Sequence, residues 1–400
     1  MSNNPYIIIG SGLSGLACAI TLKKSNHKIL VLEAQSQVGG RLQSQRNRDG
    51  FIIDEGFQVI LASYPELKKF VAVDELKLQS FNSGALIYNG QGFDLLANPI
   101  KHPSAIKEIL INKNLNFKDR LLVLKLLLRS QKYSSDSPVG SVSTESFLQS
   151  FGLSSTFIEY FWRPFLSGVY LDRHLESGSH FFQFLIRCFG FGTIALPEEG
   201  MNALPQKMSE KLGLENLRLN CKVKSWTHNT VTLESGETLQ AEKVICAFDA
   251  NPPLDQLNYR EVTTHYFTSD EFLNLKWDKW LILVPAKFNL SINHMAMLTN
   301  VNSNYSTSGK PLLSVSVLSG QSNAIKVAAE LKQLLQINND PIEVSTTVVK
   351  RALPEIKSSQ TLGFGIIDGI YYCGDRWTSP SINGALRSGR LVAEEILKRI

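Results

Sequence analysis

Apolar residues along this chain gather into short runs that stop on glycine or an acid, separated by longer stretches with helical spacing. The first run, Tyr6-Ile7-Ile8-Ile9, stops at Gly10; a second, Lys28 to Leu32, stops at Glu33. The spacing predicts a strand, an amphipathic helix and a second strand. Near the far end the pattern returns: Ile370-Tyr371-Tyr372-Cys373 runs into Gly374-Asp375, and a helix is expected to open at Ser379-Pro380, with Ser as cap and Pro at the first helical position. Between these ends, Leu219 to Trp226 and Val244 to Ala247 read as strands. Ala85 to Tyr88 reads as one arm of a hairpin turning at Asn89-Gly90, with helices from there to about Phe189. Strands follow around Trp280 to Val284 and Leu312 to Leu318, then a helix from Ala324 to Leu335.

The segment Gly10-Ser11-Gly12-Leu13-Ser14-Gly15 joins the first strand to its helix. Gly10 permits the tight turn, Gly12 lets backbone approach a pyrophosphate, and Gly15 lets the helix pack closely on the sheet. The free N–H groups and positive end of that helix then face phosphates. Glu33 lies 18 residues beyond Gly15, near the ~20 expected of an acid that accepts hydrogen bonds from adenosine ribose hydroxyls. Strand, glycine loop, helix, strand and acid in this order predict a dinucleotide site.

Glu33 is followed by Ala34-Gln35-Ser36-Gln37-Val38-Gly39-Gly40-Arg41-Leu42. Here the chain resembles the flavin-containing amine oxidase superfamily, which includes protoporphyrinogen oxidases and phytoene desaturases. The resemblance implies FAD as cofactor, with Gly39, Gly40 and Arg41 on its pyrophosphate. A planar guanidinium fork suits phosphate oxygens on its own chemistry. Leu13, Ser14, Ala34 and Leu42 flank these positions and belong to the same expected site. Gly56 and Phe57, in Asp54-Glu55-Gly56-Phe57-Gln58, match the segment that family members run past the flavin. Leu196 to Leu204 is similar to the family's return into the cofactor domain, and Val223 takes the position whose backbone reads the adenine. Gly374 and Asp375 would lie near the ribityl chain and phosphates. Ser381, Ile382, Asn383 and Ala385 would bring the start of the terminal helix to the flavin N1/C2 oxygen edge, where oriented amides stabilise negative charge.

The implied fold is α/β: a discontinuous, Rossmann-like FAD-binding domain of the glutathione-reductase kind, over residues 1–84, 197–262 and 344–400. An α+β substrate domain with an antiparallel sheet and helices is expected over 85–196 and 263–343. A substrate would bind between the two, beside the flavin.

Composition narrows the class further. With 400 residues, 43% hydrophobic and 19% charged, the chain reads as globular and of two to three domains. No run of ~18 uncharged apolar residues is present. The first strand begins at Tyr6, which predicts no signal or transit peptide. Cys18, Cys188, Cys221, Cys246 and Cys373 show no Cys-x-x-Cys spacing and read as core thiols of a reducing, cytoplasmic protein. The histidines show no metal-ligand spacing, so no metal is expected. Between Lys101 and Lys132, eight basic residues face only Glu108 and Asp119. Lys118, Lys125, Arg129 and Lys132 fall on one helical face among leucines. That helix is either buried with one solvated stripe or interfacial, lying in anionic headgroups. Without interleaved aromatics or a binding motif, nucleic acid is not expected.

For the reaction the residues say less, since a flavin carries the redox chemistry itself. Phe161-Trp162-Arg163-Pro164-Phe165 to Tyr170 looks like the substrate-lining segment of protoporphyrinogen oxidases and desaturases, which makes Arg163 a candidate for a polar substrate end. Amine oxidases of the family place an aromatic where this chain has Ser381; Trp377 is a candidate replacement. Lys287 is the nearest candidate for their lysine close to the flavin. Three functions stay open: dehydrogenation of a hydrophobic small molecule, amine oxidation with release of hydrogen peroxide, and a redox-neutral role such as polyene isomerisation.

Overall fold

The structure is a computed structural model that describes residues 4–99, 101–137, 140, 142–248, 258–275, 277–318, 322–356 and 363–399. It is a mixed α/β arrangement organised by two large sheets. The first has the order Leu217–Arg218, Ile29–Leu32, Tyr6–Ile9, Val244–Cys246, Ile370–Tyr372, Gly365–Ile367. Its neighbours are parallel except the last pair. The strands read as continuous apolar runs because both faces are covered. Ile8 points into the helical side with Leu16 and Leu386. Ile7 and Ile9 point the other way, onto Val231 and Leu233 of a three-stranded antiparallel meander, Val223–Trp226, Thr230–Leu233 and Thr238–Gln240.

Helix Leu13–Lys23 departs from its expected amphipathic character, being buried on nearly every side. The helices Ala203–Leu212 and Ile382–Lys398 both pack on it, and the residues from Leu13 to Ile20 are all buried. Two glycines make this closeness possible. A Cβ on Gly15 would stand 2.0 Å from the Gly10 carbonyl oxygen, and one on Gly389 2.0 Å from that of Ser14.

The second sheet has the order Ile342–Pro354, Tyr259–Thr268, Leu313–Leu318, Ile292–Met297, Leu281–Leu283, Gly84–Tyr88, Phe93–Ala97. It is antiparallel except where Leu281–Leu283 meets Gly84–Tyr88. Helix Ala324–Leu335 covers one face with Val327, Leu331 and Leu334. Helices Ile106–Ile111, Phe117–Ser130, Thr144–Ser150, Arg163–Tyr170 and Ser179–Phe191 follow the hairpin.

Three local details differ from the sequence reading. Leu219 to Trp226 is not one strand: Leu217–Arg218 stays in the parallel sheet, and Asn220 turns the chain with a left-handed φ of 54° before Val223 starts the meander. Asparagine tolerates that conformation better than most residues. The terminal helix starts at Ile382, with Ser381 as cap, because Pro380 lies ahead of the extended cap residue and not at the first helical position. The expected boundaries at 262/263 and 343/344 both fall inside strands of the second sheet, since Tyr259–Thr268 and Ile342–Pro354 pair along their length.

Candidate active site

A cavity of about 670 Å³ opens between the two sheets. The carboxyl ends of the parallel strands deliver Ile9, Leu32, Ala247 and Cys373 to its wall, where open α/β sheets generally bind ligands. Gly10, Gly12, Leu13, Ser14, Glu33, Ala34, Gly39, Gly40, Arg41, Leu42, Gly56 and Phe57 line it. So do Val223, Gly374, Asp375, Ser381, Ile382 and Ala385, contributed by distant parts of the chain.

Gly12 is the hinge of the nucleotide end. A Cβ built there meets nothing within 4 Å, so the backbone borders open space at the start of helix Leu13–Lys23. The first N–H groups of a helix have no partner within it, and here they border that space. A pyrophosphate fits such a cradle by charge and by hydrogen bonding. Glu33 is nearly buried and organises the loop: Oε2 accepts from Ser11 N (2.8 Å) and Ser11 Oγ (2.7 Å), and Oε1 accepts from Gln35 N (2.9 Å). A carboxylate has about four acceptor positions, which leaves capacity for a ribose diol.

Arg41 joins the two ends of the chain. Its Nη2 donates to Asp375 Oδ1 at 2.6 Å, and Nη1 donates to the Ala352 carbonyl at 2.8 Å. The pair places the Gly39-Gly40-Arg41 loop directly against the Gly374-Asp375 turn. Gly374 N is held by Ser388 Oγ at 3.0 Å. At the terminal helix, Ser381 Oγ accepts from Gly384 N at 3.0 Å, and the Ser381 carbonyl accepts from Ala385 N at 2.9 Å. That pattern leaves the Ile382 and Asn383 amides at the open helix end.

The remaining wall is apolar. Phe57, Phe81, Phe165, Phe181 and Phe189 contribute rings, and Leu281, Leu283 and Val349 come from the second sheet. Charged lining residues are Glu33, Arg41, Glu55, Lys222 and Asp375; Lys222 directly precedes Val223 at the start of the meander, and the other four lie on or near the glycine segments. Among the described residues, none comes from the helices between 106 and 191 or from the strands of the second sheet. His294 and Ser316 supply polar groups there. His294 is buried, its ring 5.3 Å from that of Phe57, and burial pushes its pKa down to about 4. Sequence reading passed over His294; the signal was a polar Asn293-His294 pair inside an otherwise apolar strand.

Five expected site residues lie outside the cavity wall. Gly15 serves helix packing, as noted. Asn383 turns its Oδ1 to Glu66 N at 3.1 Å. Arg163 is claimed by Glu159, by Glu145 (2.7 Å) and by the Arg173 carbonyl (2.7 Å), because one turn of helix and a neighbouring helix bring those acids to it. Trp377 packs over Gly365, where a Cβ would meet its ring at 2.5 Å, and Arg376 covers its face. Lys287 lies over the Phe288 ring at 5.1 Å, at the far end of the second sheet's hairpin beside Tyr88.

Known proteins match this arrangement. The family model for flavin-containing amine oxidoreductases matches residues 13–397. Protoporphyrinogen oxidase 2 of Arabidopsis thaliana is 30% identical over 176 residues, 42% of this chain and 33% of that protein. The L-amino acid dehydrogenase of Synechocystis sp. is 36% identical over 94 residues, 22% of this chain and 19% of that protein. These alignments thus span a third or less of the relatives' own length. Wild-type putrescine oxidase bound to putrescine superposes with a TM-score of 0.70 at 16% identity, covering 99% of each chain, a likeness of fold. With the family model matched from the first glycine loop to the last helix, the chain belongs to the flavin-containing amine oxidoreductases.

Proposed function

We propose that this enzyme dehydrogenates a neutral, largely apolar small molecule. The observation that carries this reading is the wall contributed by the second sheet and its helices, which is aromatic and aliphatic with His294 and Ser316 as polar groups. An amino acid or polyamine would need a fixed charge to replace its lost hydration, and that wall offers none among the described residues. When bound, FAD supplies the hydride acceptor. The chain's own residues then bind and orient. Glu33 would accept from the adenosine ribose, the Gly12 loop would cradle the pyrophosphate, and Val223 would meet the adenine through its backbone. The Ile382 amide, at the open start of the terminal helix, would face the flavin edge that gains negative charge. Phe57, Phe165 and Phe189 would hold the substrate and exclude water, with the neutral His294 orienting a polar end.

We further assign the parallel sheet, its helices and the meander to a glutathione-reductase-like FAD-binding domain, and the seven-stranded sheet with the helices from 106 to 191 to a substrate domain. The glycine loops leaving one sheet and the apolar wall supplied by the other support that division.

Amine oxidation is the second reading, favoured by the relative named as an amino acid dehydrogenase and the putrescine oxidase fold. Anaerobic bleaching of flavin absorbance distinguishes them. Polyenes, terpenoids or porphyrinogen-like compounds are expected to bleach it, whereas amines and amino acids leave it yellow. Bleaching by amines alone, with hydrogen peroxide released in air, overturns the proposal. Isomerised product without bleaching assigns a redox-neutral role instead.

A further inference from the structure

Helices Ile106–Ile111 and Phe117–Ser130 carry apolar side chains on the side the fold does not use. On the longer helix Phe117, Leu121, Leu124 and Leu128 recur at helical spacing, and all are exposed, Phe117 at 72% and Leu128 at 60%. The shorter helix adds exposed Ile106, Leu110 and Ile111. Arg120 Nη2 donates to the Leu110 carbonyl at 2.9 Å, which ties the two helices into one surface. The opposite side of the longer helix is already spent on packing. Leu126 is fully buried there, and Leu127 reaches Gly190 of helix Ser179–Phe191. A surface helix ordinarily turns polar residues outward, and contiguous exposed apolar area marks an interaction site.

The charge around this face has one sign. Lys107, Lys113, Lys118, Lys125, Arg129 and Lys132 are all exposed. Of the two acids in the stretch, Asp119 is buried inside, with its carboxylate accepting from Ser154 N (2.8 Å) and Ser154 Oγ (2.6 Å). Glu108 alone opposes the basic rim.

We propose that this face docks on an anionic lipid surface, with the leucines and Phe117 entering the acyl boundary and the lysines among headgroup phosphates. Aliphatic residues rimmed by lysine are the composition of an interfacial helix, whereas protein interfaces are depleted in lysine. The position has a consequence that rests on the apolar-substrate reading. Helix Ser179–Phe191, on which the docking helix packs, lines the cavity with Phe181, Leu185 and Phe189. Only the docking helix and this one helix behind it therefore separate the lipid from the site, a short path for a substrate dissolved in the bilayer.

Vesicle flotation of the full chain tests docking without reference to any substrate. The protein is expected to float with phosphatidylcholine vesicles containing about one-third phosphatidylglycerol, and much less with phosphatidylcholine alone. Lys118→Gln with Lys125→Gln should lower partitioning about fivefold per lysine, and added salt should do the same. Leu121→Gln with Leu128→Gln should weaken it further, with circular dichroism and the melting transition unchanged, since both side chains are exposed. Equal flotation on neutral and anionic vesicles, or wild-type flotation of the leucine variant, overturns the proposal. So does self-association of the wild type in sedimentation velocity that the leucine variant abolishes, which would assign the face to a second copy of the chain.

Discussion

Acidification should weaken this protein through His294 before most carboxylates titrate. Asn293 Nδ2 donates to the Pro164 carbonyl at 3.1 Å and lies 3.0 Å from His294 Nδ1. A carbonyl can only accept, so the amide is fixed with its NH₂ toward both partners, and Nδ1 must be an acceptor. His294 is therefore neutral, with its proton on Nε2. Protonating Nδ1 would set two donors against each other, in a site where burial already pushes the pKa down to about 4 from 6.5. The sign follows from linkage: the unfolded chain binds the proton more tightly, so stability is fully present above about pH 6.5 and is lost as pH falls toward 4. At about 1.4 kcal/mol for each tenfold difference in proton affinity, the loss approaches about 3 kcal/mol. His265 is also held below its ordinary pKa by burial, so the wild type alone does not isolate the effect. Thermal melts of wild type and His294→Gln between these pH values do. The variant should keep the His265 contribution and lose most of the remaining slope. Parallel pH profiles for the two proteins, or an NMR titration of His294 with a midpoint near 6.5, would refute the reasoning.

Two further substitutions test the cofactor end. Glu33→Gln replaces one of the two accepting oxygens with an NH₂, which must face either the Ser11 donors or the Gln35 N–H; FAD affinity, measured by flavin fluorescence, should fall about tenfold to a hundredfold, and unchanged retention would refute the role. Gly389→Ala places a Cβ 2.0 Å from the Ser14 carbonyl oxygen and 3.0 Å from Cys18 N. Two packed helices must part, so stability should drop by about 1–3 kcal/mol with loss of FAD, because Ser14 lines the cavity; an unaltered melting transition contradicts this.

The sequence alone determined the parts of this protein governed by local rules. A glycine loop after an apolar run, an acid closing the next strand and a second apolar run ending in Gly374-Asp375 each carry their own backbone requirement, and the cavity gathers them all. Asn89-Gly90 marked the hairpin, and the basic leucine-rich stretch marked a helix whose outward face stayed ambiguous. What lies across from a side chain was decided only by tertiary structure. Arg163 and Lys287 carried charge that suited a site, but Glu145 and Phe288 took them first. Helix Leu13–Lys23 read as amphipathic, but two other helices pack on it and leave only Thr21 and Lys23 partly exposed. His294 became part of the cavity because Ile292–Met297 lies in the sheet that faces it. Periodicity records how an element divides its own surface; which distant surface fills the other side depends on packing among segments that no local pattern encodes.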